Sequence, residues 1–213
     1  MKIMIINGSP KPKNSNSNYF LDLIKEQLKN IDIIEYSVIK TDNYDQIISD
    51  ISEIQAIVFA LPLYVDSMPS HVIRFLSYVE ENYKSQVSKV KVYMISNCGF
   101  YEGKQNHISI KILKCWCKRM GFEWGQGIGI GSGEMMGSLK NMPITQGPNK
   151  SLGLAINELA NNILKNDSGD EIFTTPSYFP RVAFRFASNN FWIKGAKMNG
   201  LKKKDLDKCI IEI

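Results

Sequence analysis

Histidine, cysteine and long apolar runs are all scarce in this chain, and each shortage removes a class of function. The 213 residues include two histidines and four cysteines. Cys98, Cys115, Cys117 and Cys209 form no C-x-x-C pair, and with His71 and His107 they give no metal-ligand spacing. Cys115 and Cys117 stand two apart in a helical stretch, where such neighbours point away from each other. Separate thiols in a reducing compartment are expected, with no metal site and no iron–sulfur cluster. No apolar run reaches the roughly eighteen residues of a membrane span. A secretory leader is not expected either, because the apolar run at residues 3–6 is far too short for one. A cytoplasmic protein without a membrane span is the expectation. Two common nucleotide loops, G-x-x-x-x-G-K-[ST] and G-x-G-x-x-G at a first strand, are missing as well.

What is present is an ordinary globular composition, 44% hydrophobic and 22% charged, with no low-complexity tract. The net charge of +5 is too mild to imply nucleic acid, though it favours anionic cofactors. The length suits one large α/β domain, or a domain with an appendage.

The most informative stretch is residues 1–18, MKIMIINGSPKPKNSNSN. A short apolar run ends in Asn7-Gly8-Ser9-Pro10, a polar loop follows, and a helical pattern begins at Tyr19. Strand, tight turn, polar loop and helix start place backbone N–H groups at the positive end of a helix, where a phosphate is held well. Gly8 allows a sharp exit and Pro10 stiffens the turn. Ser9, Ser15, Asn16 and Ser17 offer hydrogen-bond donors, and Lys11 and Lys13 add charge. The pattern favours a monophosphate over a pyrophosphate. The blander reading is a solvated loop with an N-cap.

Further along, strands are expected at residues 31–38, 56–60, 90–96 and 122–130, giving five with the first. Helices are expected near residues 19–29, 47–54, 70–79, 105–120 and 152–164, with Ser70 as an N-cap and Gly121 as a stop. Strands alternating with helices imply a parallel sheet covered on both faces, with ligands at the carboxyl ends of its strands. The loops at 8–18, 61–69 and 97–103 stand at those ends and are expected to meet in one crevice. Gly127, Gly129, Gly131 and Gly133 alternate along the fifth strand and its loop, which reads as close packing rather than nucleotide binding.

The Gly8-Ser9-Pro10-Lys11…Ser15-Asn16-Ser17 loop resembles the G-S-P-R-x-x-S-x-[ST] phosphate loop of the NAD(P)H-dependent FMN reductase family. Pro62-Leu63-Tyr64 and Asn97-x-Gly99-Phe100 are similar to that family's second and third flavin loops, and the likeness covers residues 1–165. Lys11 stands where the family carries Arg. The resemblance implies a flavodoxin-like, doubly wound five-stranded parallel sheet, noncovalent FMN, NAD(P)H as co-substrate and a homodimer. It implies phosphate contacts from Ser9, Lys11, Ser15, Asn16 and Ser17. Pro62, Leu63, Tyr64 and Val65 would wrap the ring edge, and Asn97, Gly99 and Phe100 would meet its pyrimidine side. No side chain is required as nucleophile or base, so no catalytic residue is expected. Cys98 beside the ring reads as an inert buried thiol, and Glu134 as a residue that borders the pocket.

Residues 166–213 are expected to be a basic, aromatic, helical extension. Phe179, Val182, Ala183 and Phe186 sit at helical spacing among Arg181, Arg185, Lys194 and Lys197. Docking on the main domain or on a dimer mate is favoured there over an anionic-membrane helix or a single-stranded nucleic-acid surface. The whole reads as an FMN-dependent NAD(P)H oxidoreductase with a small acceptor (quinone, nitro or azo compound, or flavin). A flavodoxin-type electron carrier and a non-catalytic flavin-binding protein are the alternatives.

Overall fold

The apolar runs at residues 3–6, 56–60 and 90–96 form central strands buried on both faces, whereas the edge strand at 32–37 is half-exposed. In the computed structural model, which describes residues 1–11, 13–83 and 89–208, the chain falls into two compact units, Met1–Ser177 and Tyr178–Ile213. Cys209 lies outside the described residues.

The first unit is built from β1 (Lys2–Asn7), α1 (Asn16–Gln27), β2 (Asp32–Ser37), α2 (Tyr44–Asp50), β3 (Ala56–Pro62), α3 (Ser70–Asn82) and β4 (Lys91–Asn97). There follow α4 (His107–Met120), β5 (Glu123–Ile130), α5 (Gly133–Ser138), α6 (Lys150–Lys165) and β6 (Ile172–Thr174). All neighbouring strands pair in parallel, in the order β2-β1-β3-β4-β5-β6. The run 2-1-3-4-5 is the flavodoxin-like order, with its switch point between β1 and β3.

Side-chain alternation divides the core in two. Met4, Ile6, Phe59, Leu61, Val92 and Met94 pack with Phe75, Val79, Leu113 and Trp116 from α3 and α4. Ile3, Ile5, Val58, Tyr93, Ile95 and Ile128 pack with Phe20, Ile24, Ile156 and Leu159 from α1 and α6. A strand covered on both faces has no polar alternation, which is why these segments read as continuous apolar runs.

Several expectations need correction. The sheet has six strands, not five. Ile172, Phe173 and Thr174 pair with Ile128, Gly129 and Ile130 along the outer edge of β5, inside the segment assigned to the extension. A three-residue strand is too short to show a period. α1 starts at Asn16 rather than Tyr19, because Ser15 caps it by accepting from the Asn18 N–H at 3.1 Å. Ser70 is the first residue of α3 and not its cap, which falls at Pro69. The glycine-rich stretch after β5 contains α5. Gly121 does end α4, in the left-handed conformation at φ 72°.

The alternating glycines are a packing device. A Cβ at Gly129 would stand 2.7 Å from the Gly103 carbonyl oxygen, and one at Gly131 would stand 2.3 Å from that of Tyr101. The segment after β4 is thereby laid directly on the backbone of β5.

The second unit contains α7 (Arg181–Met198), which begins after Pro180 and closes on a glycine turn. Gly200, at φ 75°, donates to the Lys197 carbonyl at 3.1 Å, and Leu201 donates to that of Ala196 at 2.9 Å. This paired closure is the Schellman arrangement, so the helix carries its own stop signal.

Overpacking at the glycine contact gives a direct check. Gly129→Ala should lower stability by about 2 kcal/mol. Gly99→Ala, where an added Cβ meets nothing within 4 Å, should stay within about 0.5 kcal/mol. Urea unfolding of both variants measures the contrast.

Candidate functional site

The strand order reverses between β1 and β3, so the segments that leave these two strands diverge and open a crevice at their carboxyl ends. Residues after β1, β3, β4 and β5 line a cleft of about 250 Å³ there. Ser9, Lys11, Ser15, Asn16 and Ser17 line it from the first loop and the start of α1, and Pro62, Leu63, Tyr64, Asn97 and Gly99 from the ends of β3 and β4. Two residues assigned to the site on sequence stand outside that lining. Val65 is 99% exposed and Phe100 57% exposed. Cys98 and Glu134 do line the cleft, and so does Asn14, which sequence reasoning missed. Asn14 adopts φ 52°, a conformation that Asn tolerates, and an amide just before an N-cap was the available signal.

A steric constraint explains Gly8. A Cβ there would lie 2.8 Å from the Val72 side chain and 3.0 Å from that of Leu61. Its φ is not among the positive ones, so close approach rather than turn geometry demands glycine. With that approach made, the Gly8 N–H donates to the Ala60 carbonyl at 2.8 Å and ties the first loop to β3.

Three buried hydroxyls share one arrangement. Ser9 Oγ accepts from the Lys11 N–H at 3.2 Å, Ser15 Oγ from the Asn18 N–H at 3.1 Å, and Ser17 Oγ from Asn97 Nδ2 at 3.4 Å. Each oxygen is oriented by a bond it accepts, which leaves its own O–H to donate. The Asn16 and Ser17 N–H groups lie in the first turn of α1, where helix geometry provides no intrahelical acceptor. Hydroxyls, amides and the Lys11 ammonium at a helix start suit a phosphate dianion.

Asn97 joins the loops. Its Nδ2 donates to the Leu61 carbonyl at 3.0 Å as well as to Ser17, and its own carbonyl accepts from Leu63 N–H at 2.7 Å. Pro62, Leu63 and Tyr64 add apolar and aromatic surface to the lining. Beyond Leu63, Tyr64 and Ser67 exchange backbone bonds of 2.9 and 3.0 Å around Val65 and Asp66, both at positive φ. The pair closes a tight two-residue turn and presents Tyr64, half-exposed, at the cleft mouth. A β-branched residue in the left-handed region is strained, and Val65 holds that conformation in open solvent.

Cys98 is buried, and its Sγ accepts from Asn106 Nδ2 at 3.4 Å. Burial pushes the thiol pKa up, so it stays protonated near neutrality and is not an activated nucleophile. A larger groove of about 510 Å³ lies between α3 and α4, floored by Ile73, Leu76, Ile112 and Trp116. It brings together no comparable set of phosphate donors.

Hydrogen-bond donors and an apolar, aromatic surface thus line one cleft. No protein-family model and no curated protein matches the sequence. Solved structures match in shape. An FMN-dependent NADH-azoreductase from Bacillus anthracis str. Ames Ancestor, in complex with FMN, is 16% identical, with 76% of this chain and 99% of that one covered at a TM-score of 0.56. An NADPH-quinone reductase from P. pentosaceus is 15% identical, with 76% and 99% covered, at 0.57. The Trp repressor binding protein from Bacillus subtilis is 20% identical, with 59% and 85% covered, at 0.51. At such identities what is shared is the fold.

Asn97→Ala strips two donated bonds from a buried junction and should cost about 1–3 kcal/mol in urea unfolding. A second expectation concerns His71, whose Nε2 lies 3.1 Å from the Gly8 carbonyl. Burial, and then the nearby Arg74, hold its pKa below the ordinary value, against the opposing effect of the Gly8 bond. Between the two pKa values the unfolded chain binds the extra proton, so stability should fall as pH drops below about 6.5. His71→Gln should flatten that slope in thermal melts between pH 7 and 5.

Proposed function

We propose that this chain is an FMN-dependent NAD(P)H oxidoreductase acting on a small acceptor: a quinone, a nitro or azo compound, or free flavin. The observation that carries the reading is the convergence of three strand-end loops on one cleft lined by hydroxyl, amide and Lys11 donors and by Tyr64. The fold shared with an azoreductase solved with FMN and with an NADPH-quinone reductase supports it.

Ser9, Lys11, Ser15, Asn16 and Ser17 would hold the FMN phosphate. Pro62, Leu63 and Tyr64 would flank the ring, with Val65 at the mouth, and Asn97, Gly99 and Phe100 would take its pyrimidine side. Bound FMN supplies the hydride-accepting ring. This chain's residues bind it, orient it and keep one face open to nicotinamide and acceptor in turn, so no side-chain acid or base is needed. Tyr64, half-exposed and lining the cleft, suits the recognition of flat, apolar partners. A homodimer and a cytoplasmic setting belong to the same proposal, as does the assignment of residues 1–165 to flavin binding.

Titration of the purified chain with FMN and with riboflavin tests the phosphate end. FMN should bind at least about tenfold tighter than riboflavin. Lys11→Ala should weaken FMN about tenfold, roughly 1.4 kcal/mol, and leave riboflavin unchanged. Bound FMN should then be reduced anaerobically by NADH or NADPH. Failure to bind FMN would overturn the assignment, and bound FMN that neither nicotinamide reduces would point to an electron carrier.

A further inference from the structure

Charge is unevenly spread along this chain. Residues 178–213 carry eight Lys or Arg against three Asp or Glu, a balance of +5 that equals the net charge of the whole protein. From 178 to 204 there are seven cations and no acid. α7 places these cations beside large apolar side chains. Phe191 is 65% exposed, Trp192 62% and Met198 79%.

At about 100° per residue, Phe184, Ala187, Phe191, Trp192, Gly195 and Met198 fall on one arc of the helix. Arg185 lies at one edge of that arc and Lys194 at the other, and Arg181 at the helix start is the only cation within it. Val182, Phe186 and Ile193 form a second stripe on the opposite side. Directly after the helix, the Schellman closure at Gly200 leads into Lys202, Lys203 and Lys204. Exposed aromatics beside long cationic side chains, followed by a lysine cluster, are the features that draw a segment to a charged lipid surface.

We propose that α7 and the lysine cluster seat the protein on the surface of an anionic lipid bilayer. Phe191, Trp192 and Met198 enter the boundary with the acyl chains, and Arg185, Lys194 and residues 202–204 meet the headgroup phosphates. The helix lies along the surface, since no described helix is long and apolar enough to cross a membrane.

Charge argues against the α7 of a second copy as the occupant, because each helix brings four cations and no acid. Single-stranded nucleic acid satisfies the cations but not the apolar arc. Met198 has no π-face, and the Phe191 and Trp192 rings stand edge-to-face at 79°, not as a stacking platform.

Co-sedimentation of the full-length protein with vesicles is the test. Vesicles of equal phosphatidylglycerol and phosphatidylcholine should bind it at least about tenfold better than pure phosphatidylcholine, and the difference should shrink as salt rises. Phe191→Ser/Trp192→Ser and Lys202→Gln/Lys203→Gln/Lys204→Gln should each weaken partition about tenfold while thermal melting of the first unit stays unchanged. Trp192 emission should shift to the blue on anionic vesicles, a change lost in Trp192→Phe. Three results would overturn the proposal: equal binding to both vesicle types, tighter binding to an oligo(dT) probe than to the vesicles, or self-association abolished by Phe191→Ser/Trp192→Ser without vesicle binding.

Discussion

The hydrogen bonds of Asn97 are the constraint on which the cleft depends. A parallel sheet delivers strand ends to one rim, but it does not by itself hold the departing loops together. Asn97, buried at the end of β4, donates to the carbonyl of Leu61 in β3 and to the hydroxyl of Ser17 in α1, and accepts from Leu63. One residue therefore couples the start of α1, the loop after β3 and the loop after β4. Its own side chain leaves no room behind it: a Cβ at Gly133 would meet Asn97 Oδ1 at 2.9 Å, so the turn into α5 comes in bare. A buried amide with several partners is stable only when all of them are in place, which makes the junction cooperative.

From that junction the electrostatics follow. The scaffold donates to each of three serine hydroxyl oxygens, and each hydroxyl keeps the capacity to donate. Leu63 and Tyr64 add apolar and aromatic surface to the same cleft. Donors beside an aromatic edge discriminate by shape and charge together. Cys98, which burial keeps protonated, adds no charge to that surface.

Much of this was legible in the chain, for identifiable reasons. Strands covered on both faces lack polar alternation, so residues 3–6 and 56–60 announce themselves. Gly8, the serines after it and the Asn97 loop were visible because special residues cluster where backbones approach closely. Other features left no trace that a period or a motif detects. β6 is three residues long, and its Phe173 side chain lies where a Cβ on Gly129 of β5 would meet it at 2.7 Å. The start of α1 was misjudged because an N-cap in this loop was weighed without being placed at Ser15, whose oxygen caps the helix. The role of Gly8 was visible and its cause was not, since contact with Val72 and Leu61 exists only once α3 is packed.

Hydrogen exchange with and without saturating FMN tests most directly whether the three loops grip one ligand. Protection should rise together in residues 9–18, 62–64 and 97–99, and the α3–α4 surface around Ile73 and Ile112 should stay unchanged. Protection confined to that α3–α4 groove, or to one of the three loops alone, would contradict the account.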